Sequence, residues 1–169
     1  MRLVIRPAVE ADLPRILESL EQMDSGMYPQ REDAGEAVRF AVFRQIAADP
    51  HQHLLVAEAD GRIVGTVHLV VIPHLGRSCK PSGLVEGMVV DEAYRRKGVG
   101  AALLREVQDL ARDAGCYKLA LSSNLARSGA HRFYSRLGWK RTHYGFSLEP
   151  PSGVMDSGLH GGPAKGGAT

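Results

Sequence analysis

The sequence predicts an α/β chain of the α+β kind, a mixed and largely antiparallel sheet flanked by helices. Strand-like and helix-like apolar patterns alternate along its 169 residues, in the order β, α, α, β, β, β, α, β, α, β. Asp60-Gly61 joins two β-rich runs, and Asp-Gly accepts the positive φ of a tight turn, so the first half is built on a hairpin. A strand, a glycine-rich turn and a helix follow one another over residues 86–101. At about 100 to 200 residues per domain this is one folding unit.

The elements follow in order. Leu3-Val4-Ile5 is a short apolar run halted by Pro7, an opening strand. Leu13, Ile16, Leu17 and Leu20 share one helical face; Glu10 and Asp12 suit the positive helix start, and Pro14 fits a first turn. After a polar stretch over 24–32, Val38, Ala41, Val42 and Ile46 mark a second helical stripe, closed by Asp49-Pro50. Residues 53–59 and 63–72 are the hairpin strands, 73–82 a loop with Gly76 and Pro81, and 84–90 a further strand. Leu103, Val107, Leu110, Ala111 and Ala114 line one side of a helix over 98–114, with Gly115 as its cap. Tyr117, Leu119 and Leu121 alternate as a strand, Ala130, Phe133 and Leu137 face one way on a short helix ending at Gly138, and 139–148 reads as a last strand. The domain is thus 1–149. The glycine-rich, aperiodic residues 150–169 form a flexible tail, and a chain ended after Pro150 is expected to stay folded and active.

Composition narrows the function. The 21 basic and 19 acidic side chains leave a formal charge of +2, so no bulk field draws the chain to nucleic acid or an anionic membrane. The longest apolar run, 67–73, contains His68 and is far shorter than the ~20 residues of a membrane span. With no signal-peptide pattern after Met1, a cytoplasmic location is the expectation. Cys79 and Cys116 lie in no CxxC pair, and His51-x-His53 lacks a third ligand, so neither a disulfide nor a metal is expected.

The chemistry concentrates in Glu86-Gly87-Met88-Val89-Val90-Asp91-Glu92-Ala93-Tyr94-Arg95-Arg96-Lys97-Gly98-Val99-Gly100-Ala101. A helix start presents unpaired N–H groups where the macrodipole favours an anion, and Gly98 and Gly100 allow a phosphate close to the backbone. Arg95, Arg96 and Lys97 add positive charge at the same point. No Gly-Lys-Ser/Thr closes the turn, and Leu103 stands where a dinucleotide fingerprint needs glycine, so nucleoside triphosphate and dinucleotide readings drop out. Arg95-Arg96-Lys97-Gly98-Val99-Gly100 instead resembles the R/Q-x-x-G-x-G/A signature of the GNAT superfamily of N-acetyltransferases. Ile5-Arg6-Pro7-Ala8 before Glu10-Ala11-Asp12-Leu13 is similar to that family's opening. Its second block is similar to Asn124 with Ala130-His131-Arg132-Phe133-Tyr134-Ser135-Arg136-Leu137-Gly138-Trp139, a tryptophan standing where phenylalanine is common.

The resemblance implies that the strands near 86–90 and 117–123 are central, parallel and splayed, with acetyl-CoA as the acetyl donor between them. Backbone groups of Met88, Val89 and Val90 would pair with its pantetheine arm, Asn124 would touch that arm, and its pyrophosphate would rest on the amides from Arg96 to Ala101, Val99 among them. Tyr134 resembles the family's general acid, which protonates a departing thiolate or donates a hydrogen bond to it. Glu86, an acidic residue in an apolar strand, is the candidate base for an attacking ammonium, with His68, His74 or water as the other choices. The partner implied is a small-molecule or peptide amine, and a homodimer is compatible with the reading. Because neither cysteine has a base motif beside it, acetyl would pass directly to the amine in a ternary complex. The competing reading is a non-catalytic acyl-CoA-binding regulatory module.

Overall fold

The computed structural model describes residues 1–24 and 34–148. The tail over 150–169 and most of the polar stretch over 24–32 fall outside the described residues. Strand β1 (Leu3–Pro7) leads through a single 3₁₀ turn into helix α1 (Leu13–Asp24), and α2 (Glu36–Ala48) follows. Strands β2 (Gln52–Ala59), β3 (Arg62–Ile72) and β4 (Ser82–Val90) form a meander, joined after it by α3 (Val99–Asp113), β5 (Leu119–Leu121) and α4 (Ser128–Arg136). The sheet runs β1-β2-β3-β4-β5, antiparallel throughout except for the parallel β4–β5 pair.

Alternation along the strands separates two apolar faces. Leu55, Ala57, Val67, Leu69 and Val85 pack against Val99, Leu103, Leu104, Val107 and Ala111 of α3. Leu13 and Ile16 of α1, Phe43 of α2 and Val56 are buried outside that cluster, with Thr66 beside Val56 across the β2–β3 register. The Thr66 hydroxyl donates to the Leu55 carbonyl at 2.8 Å, so its burial leaves no orphan. The Asp60-Gly61 hairpin forms as expected, with φ of 50° and 79° at its two residues.

Charge ties the helices to the sheet. The Arg6 guanidinium meets both oxygens of Asp12 at 2.6 and 3.0 Å, and Asp12 also accepts from the Val9 amide at 2.8 Å. The Arg6 hydrogen bond is the main cause holding the Asp12 carboxyl below its ordinary range. Arg15 of α1 reaches Asp91 at the end of β4, fixing the helix over the strand that carries Glu86.

Two expectations are corrected. Val38, Ala41 and Val42 of the expected α2 stripe are exposed, and only its Ile46 is half-buried; Phe43, outside the stripe, is the buried residue, with Phe40 half-buried beside it. Arg44 on the outer side of α2 meets both carboxylate oxygens of Glu10 at 2.9 and 3.0 Å. Residues 139–148 form no strand: Trp139 is partly buried against the core, but residues 140–148 are exposed. Their alternation is strand-like, but no strand pairs with them among the described residues.

Candidate active site

The parallel pair splits. Gly83, Leu84 and Val85 face Leu119, Ala120 and Leu121, and the register ends there. One cause is visible in β4: Glu86 pairs with His68 and Val89 with Thr66, so three steps of β4 oppose two of β3. Gly87 takes φ of 56° in this bulge, which bends β4 away from β5. On its β5 side the backbone of Met88, Val89 and Val90 therefore has no strand partner. The Val90 carbonyl accepts from Arg95 Nε at 3.1 Å, which anchors the basic turn to the strand end.

The turn then makes the anion cradle. Gly98, left-handed at φ of 86°, is the N-cap of α3, and Arg96 is left-handed as well at 61°. Ala102 N donates to Gly98 O at 3.0 Å, so the amides of Val99, Gly100 and Ala101 precede the helical ladder and face outward. An added Cβ at Gly98 would meet nothing within 4 Å, whereas one at Gly100 would lie 3.1 Å from Phe133 and 3.2 Å from Met88. Gly100 thus permits close packing of α3 on α4 and β4 as well as approach to the amides. Lys97 sits 5.2 Å above the Tyr94 ring.

At the fork of the split lies a cleft of about 120 Å³ lined by Glu86, Gly87, Met88, Asn124, Arg127 and Tyr134, among others. Glu86 enters from β4 and is exposed; Tyr134 enters from α4, between Phe133 and Trp139, with ring centroids 5.3 and 6.1 Å away. Burial pushes the Tyr134 phenol above its usual range, against the pull of Arg127. It is therefore a protonated donor at neutral pH. The Asn124 side-chain oxygen accepts from the Ala126 amide at 2.9 Å, and its amide nitrogen is the group left to donate.

The histidine candidates separate. His74 bonds Ser82 at 2.8 Å and packs on Tyr117, at the opposite end of β4 from Glu86, so it is not brought to the cleft. His68 lies across from Glu86 in register, half-buried, with Nε2 unpartnered. Burial first, and the charge of His53 second, hold its imidazole below the ordinary value. A folded-state pKa below about 6.5 means that the unfolded chain binds the proton first, so stability from neutral His68 is full above that pH and declines below it. Melting temperature should accordingly fall more steeply below pH 6.5 in the native chain than in His68→Gln; equal slopes would show that His68 titrates alike in both states.

Sequence reasoning missed Met23, Ser122, Ser123 and Arg127 as cleft residues. Their only signal was proximity to Asn124 and to the end of α1, which does not say which side chains turn inward. Among the described residues no group of three His, Cys, Asp or Glu could hold a metal ion, and no helix is long and apolar enough to cross a membrane.

A parallel pair that opens over a helix start, with an anion cradle at one end and a carboxylate and a phenol at the other, fits an extended thioester carrier lying between the strands. The class this defines is the CoA-dependent acyltransferase. Residues 17–139 match the acetyltransferase (GNAT) family, and the chain belongs to that family. It is 31% identical over 152 residues to an aminoglycoside N(6')-acetyltransferase type 1 of Stenotrophomonas maltophilia, covering 85% of this chain and 95% of the relative. It is 35% identical over 99 residues to the aminoalkylphosphonate N-acetyltransferase of Salmonella typhimurium, covering 59% of this chain and 64% of that relative's length. A Trypanosoma brucei acetyltransferase structure superposes with a TM-score of 0.73 at 28% identity, over 88% of this chain and all of that one.

Proposed function

We propose that the chain transfers the acetyl group of acetyl-CoA to the primary amine of a small molecule or peptide, by direct attack in a ternary complex. The observation that carries this reading is the placement of Glu86 and Tyr134 on two different elements around one cleft, at the fork of the split sheet. Bound acetyl-CoA supplies an acyl carbon open to attack and a sulfur that leaves with the bonding pair. Glu86, directly or through water, accepts the proton that an ammonium must lose before its nitrogen can attack. Tyr134 offers its hydroxyl proton to the sulfur as the new N–C bond replaces the C–S bond. Solvent returns a proton to Tyr134 and removes one from Glu86. Backbone groups of Met88, Val89 and Val90 bind the carrier's arm as an added strand would, with the Asn124 amide beside it. The amides from Arg96 to Ala101, with Arg95, Arg96 and Lys97, hold the pyrophosphate.

Relatives named for aminoglycosides, glucosamine 6-phosphate and aminoalkylphosphonates support a small-molecule amine as the acceptor. The test is release of free CoA thiol from acetyl-CoA with a panel of amino sugars, aminoglycosides, aminoalkylphosphonates and short peptides. Turnover with at least one amine is expected. Tight acetyl-CoA binding with no turnover on any member would favour the non-catalytic module.

A further inference from the structure

Two charged side chains line the cleft at the fork of the sheet, Glu86 from β4 and Arg127 from the start of α4, and the other residues around it are neutral. The two do not pair with each other. Among the described residues neither side chain has a hydrogen bond or an ion pair of any kind. Glu86 already has a task, because it takes the proton of the attacking ammonium. Arg127 has none: a half-buried guanidinium with a fork of N–H donors stands in the cleft with no acceptor to meet it.

Its place is set by the helix that carries Tyr134. Arg127 is the N-cap of α4 and Tyr134 lies seven residues on, two helical turns along the same face and about 10 Å further down the axis. The guanidinium therefore stands about two turns away from the phenol that marks the departing sulfur. It also stands apart from the anion cradle, since no residue from Arg95 to Ala101 lines the cleft. The cleft is thus dipolar, with a carboxylate on one wall and a guanidinium on the other, and its complement is a molecule that carries both signs of charge.

We infer that Arg127 binds an oxyanion on the acceptor, a phosphate, phosphonate or carboxylate, and so restricts the substrate class to compact zwitterionic amines; this rests on the acetyl transfer proposed above. The ammonium end lies at Glu86 and Tyr134. The oxyanion end, a few bonds away, accepts two N–H bonds from the planar fork of Arg127. A neutral amine leaves that fork unmet, and an acceptor with a second ammonium sets like charge against it in a partly buried site, which selects against polycations. A cleft of about 120 Å³ suits a small acceptor of this kind.

The probes are 2-aminoethyl phosphate, β-alanine, ethanolamine and 1,4-diaminobutane, which differ in what their far ends carry. With acetyl-CoA saturating, kcat/KM for the better of the two anionic amines should exceed that for ethanolamine by at least about 10-fold, the scale of a charge-assisted hydrogen bond, and diaminobutane should be the poorest. Arg127→Ala should erase this preference through a higher KM for the anionic amine, with KM for acetyl-CoA within a few-fold of the native value. Arg127→Glu should reverse the order in favour of diaminobutane, a result that loss of fold cannot imitate. Calorimetry on the protein loaded with CoA separates this inference from the proposed activity. An anionic amine that binds at least about 10-fold more tightly than ethanolamine, and no longer does so in Arg127→Ala, sustains the oxyanion site even where no amine turns over. Equal binding and equal turnover of all four probes overturn it while leaving acetyl transfer standing. A loss in Arg127→Ala that falls on acetyl-CoA affinity overturns it as well, because the guanidinium then holds the carrier.

Discussion

Tyr134→Phe should lower kcat by roughly 10²-fold while KM for acetyl-CoA stays within a few-fold of the native value, the size and the split expected when a general acid is removed. The substitution retains the ring that packs between Phe133 and Trp139 and deletes only the hydroxyl. Stability should therefore change little. Because burial keeps the phenol protonated well above neutrality, the native enzyme should show no loss of rate attributable to Tyr134 between pH 7 and 9. Steady-state kinetics with a melting curve of each protein decides the matter. If kcat is retained while the melting temperature drops, the hydroxyl serves the fold, and water is the proton donor to the departing sulfur.

Gly100→Val should abolish acetyl-CoA binding in calorimetry. Already the first added carbon would stand 3.1 Å from Phe133 and 3.2 Å from Met88, and valine adds two more. Crowding of this kind typically costs about 1–3 kcal/mol of stability. The strain also bears on both sides of the site, since Met88 belongs to the unpaired backbone of β4 and Gly100 carries one of the free amides of the helix start. Gly100→Ala separates the two effects: Phe133 and Met88 meet it with the far ends of their side chains, which can move by a few tenths of an ångström. The alanine protein should be folded and should bind acetyl-CoA more weakly than the native chain. Unchanged affinity in a folded Gly100→Val protein would remove the cradle from the site.

Whatever depended on residues close in the chain was legible in the sequence. The Asp60-Gly61 hairpin, the buried face of α3 and the run from Arg95 to Ala101 each declare themselves within a few residues, because turn chemistry, helical period and free helix-start amides are local properties. Glu86 and Tyr134 could be singled out by type and by family resemblance. Their meeting around one cleft could not: Glu86 and Tyr134 lie 48 residues apart in the chain, and a bulge at Gly87 opens β4 from β5 between them. The inward turn of Phe43 in place of Val38 and Val42 was likewise out of reach. Two apolar stripes compete on α2, and which one is covered depends on the sheet it packs against, where Phe43 is buried and Val38 and Val42 are not.

The segment after Trp139 shows the division most sharply. Sequence alone determined its alternation, and with it the capacity to be a strand. Only the tertiary structure decided that, among the described residues, this capacity is unmet, because a strand is completed by hydrogen bonds to a neighbour and no described strand lies beside this segment.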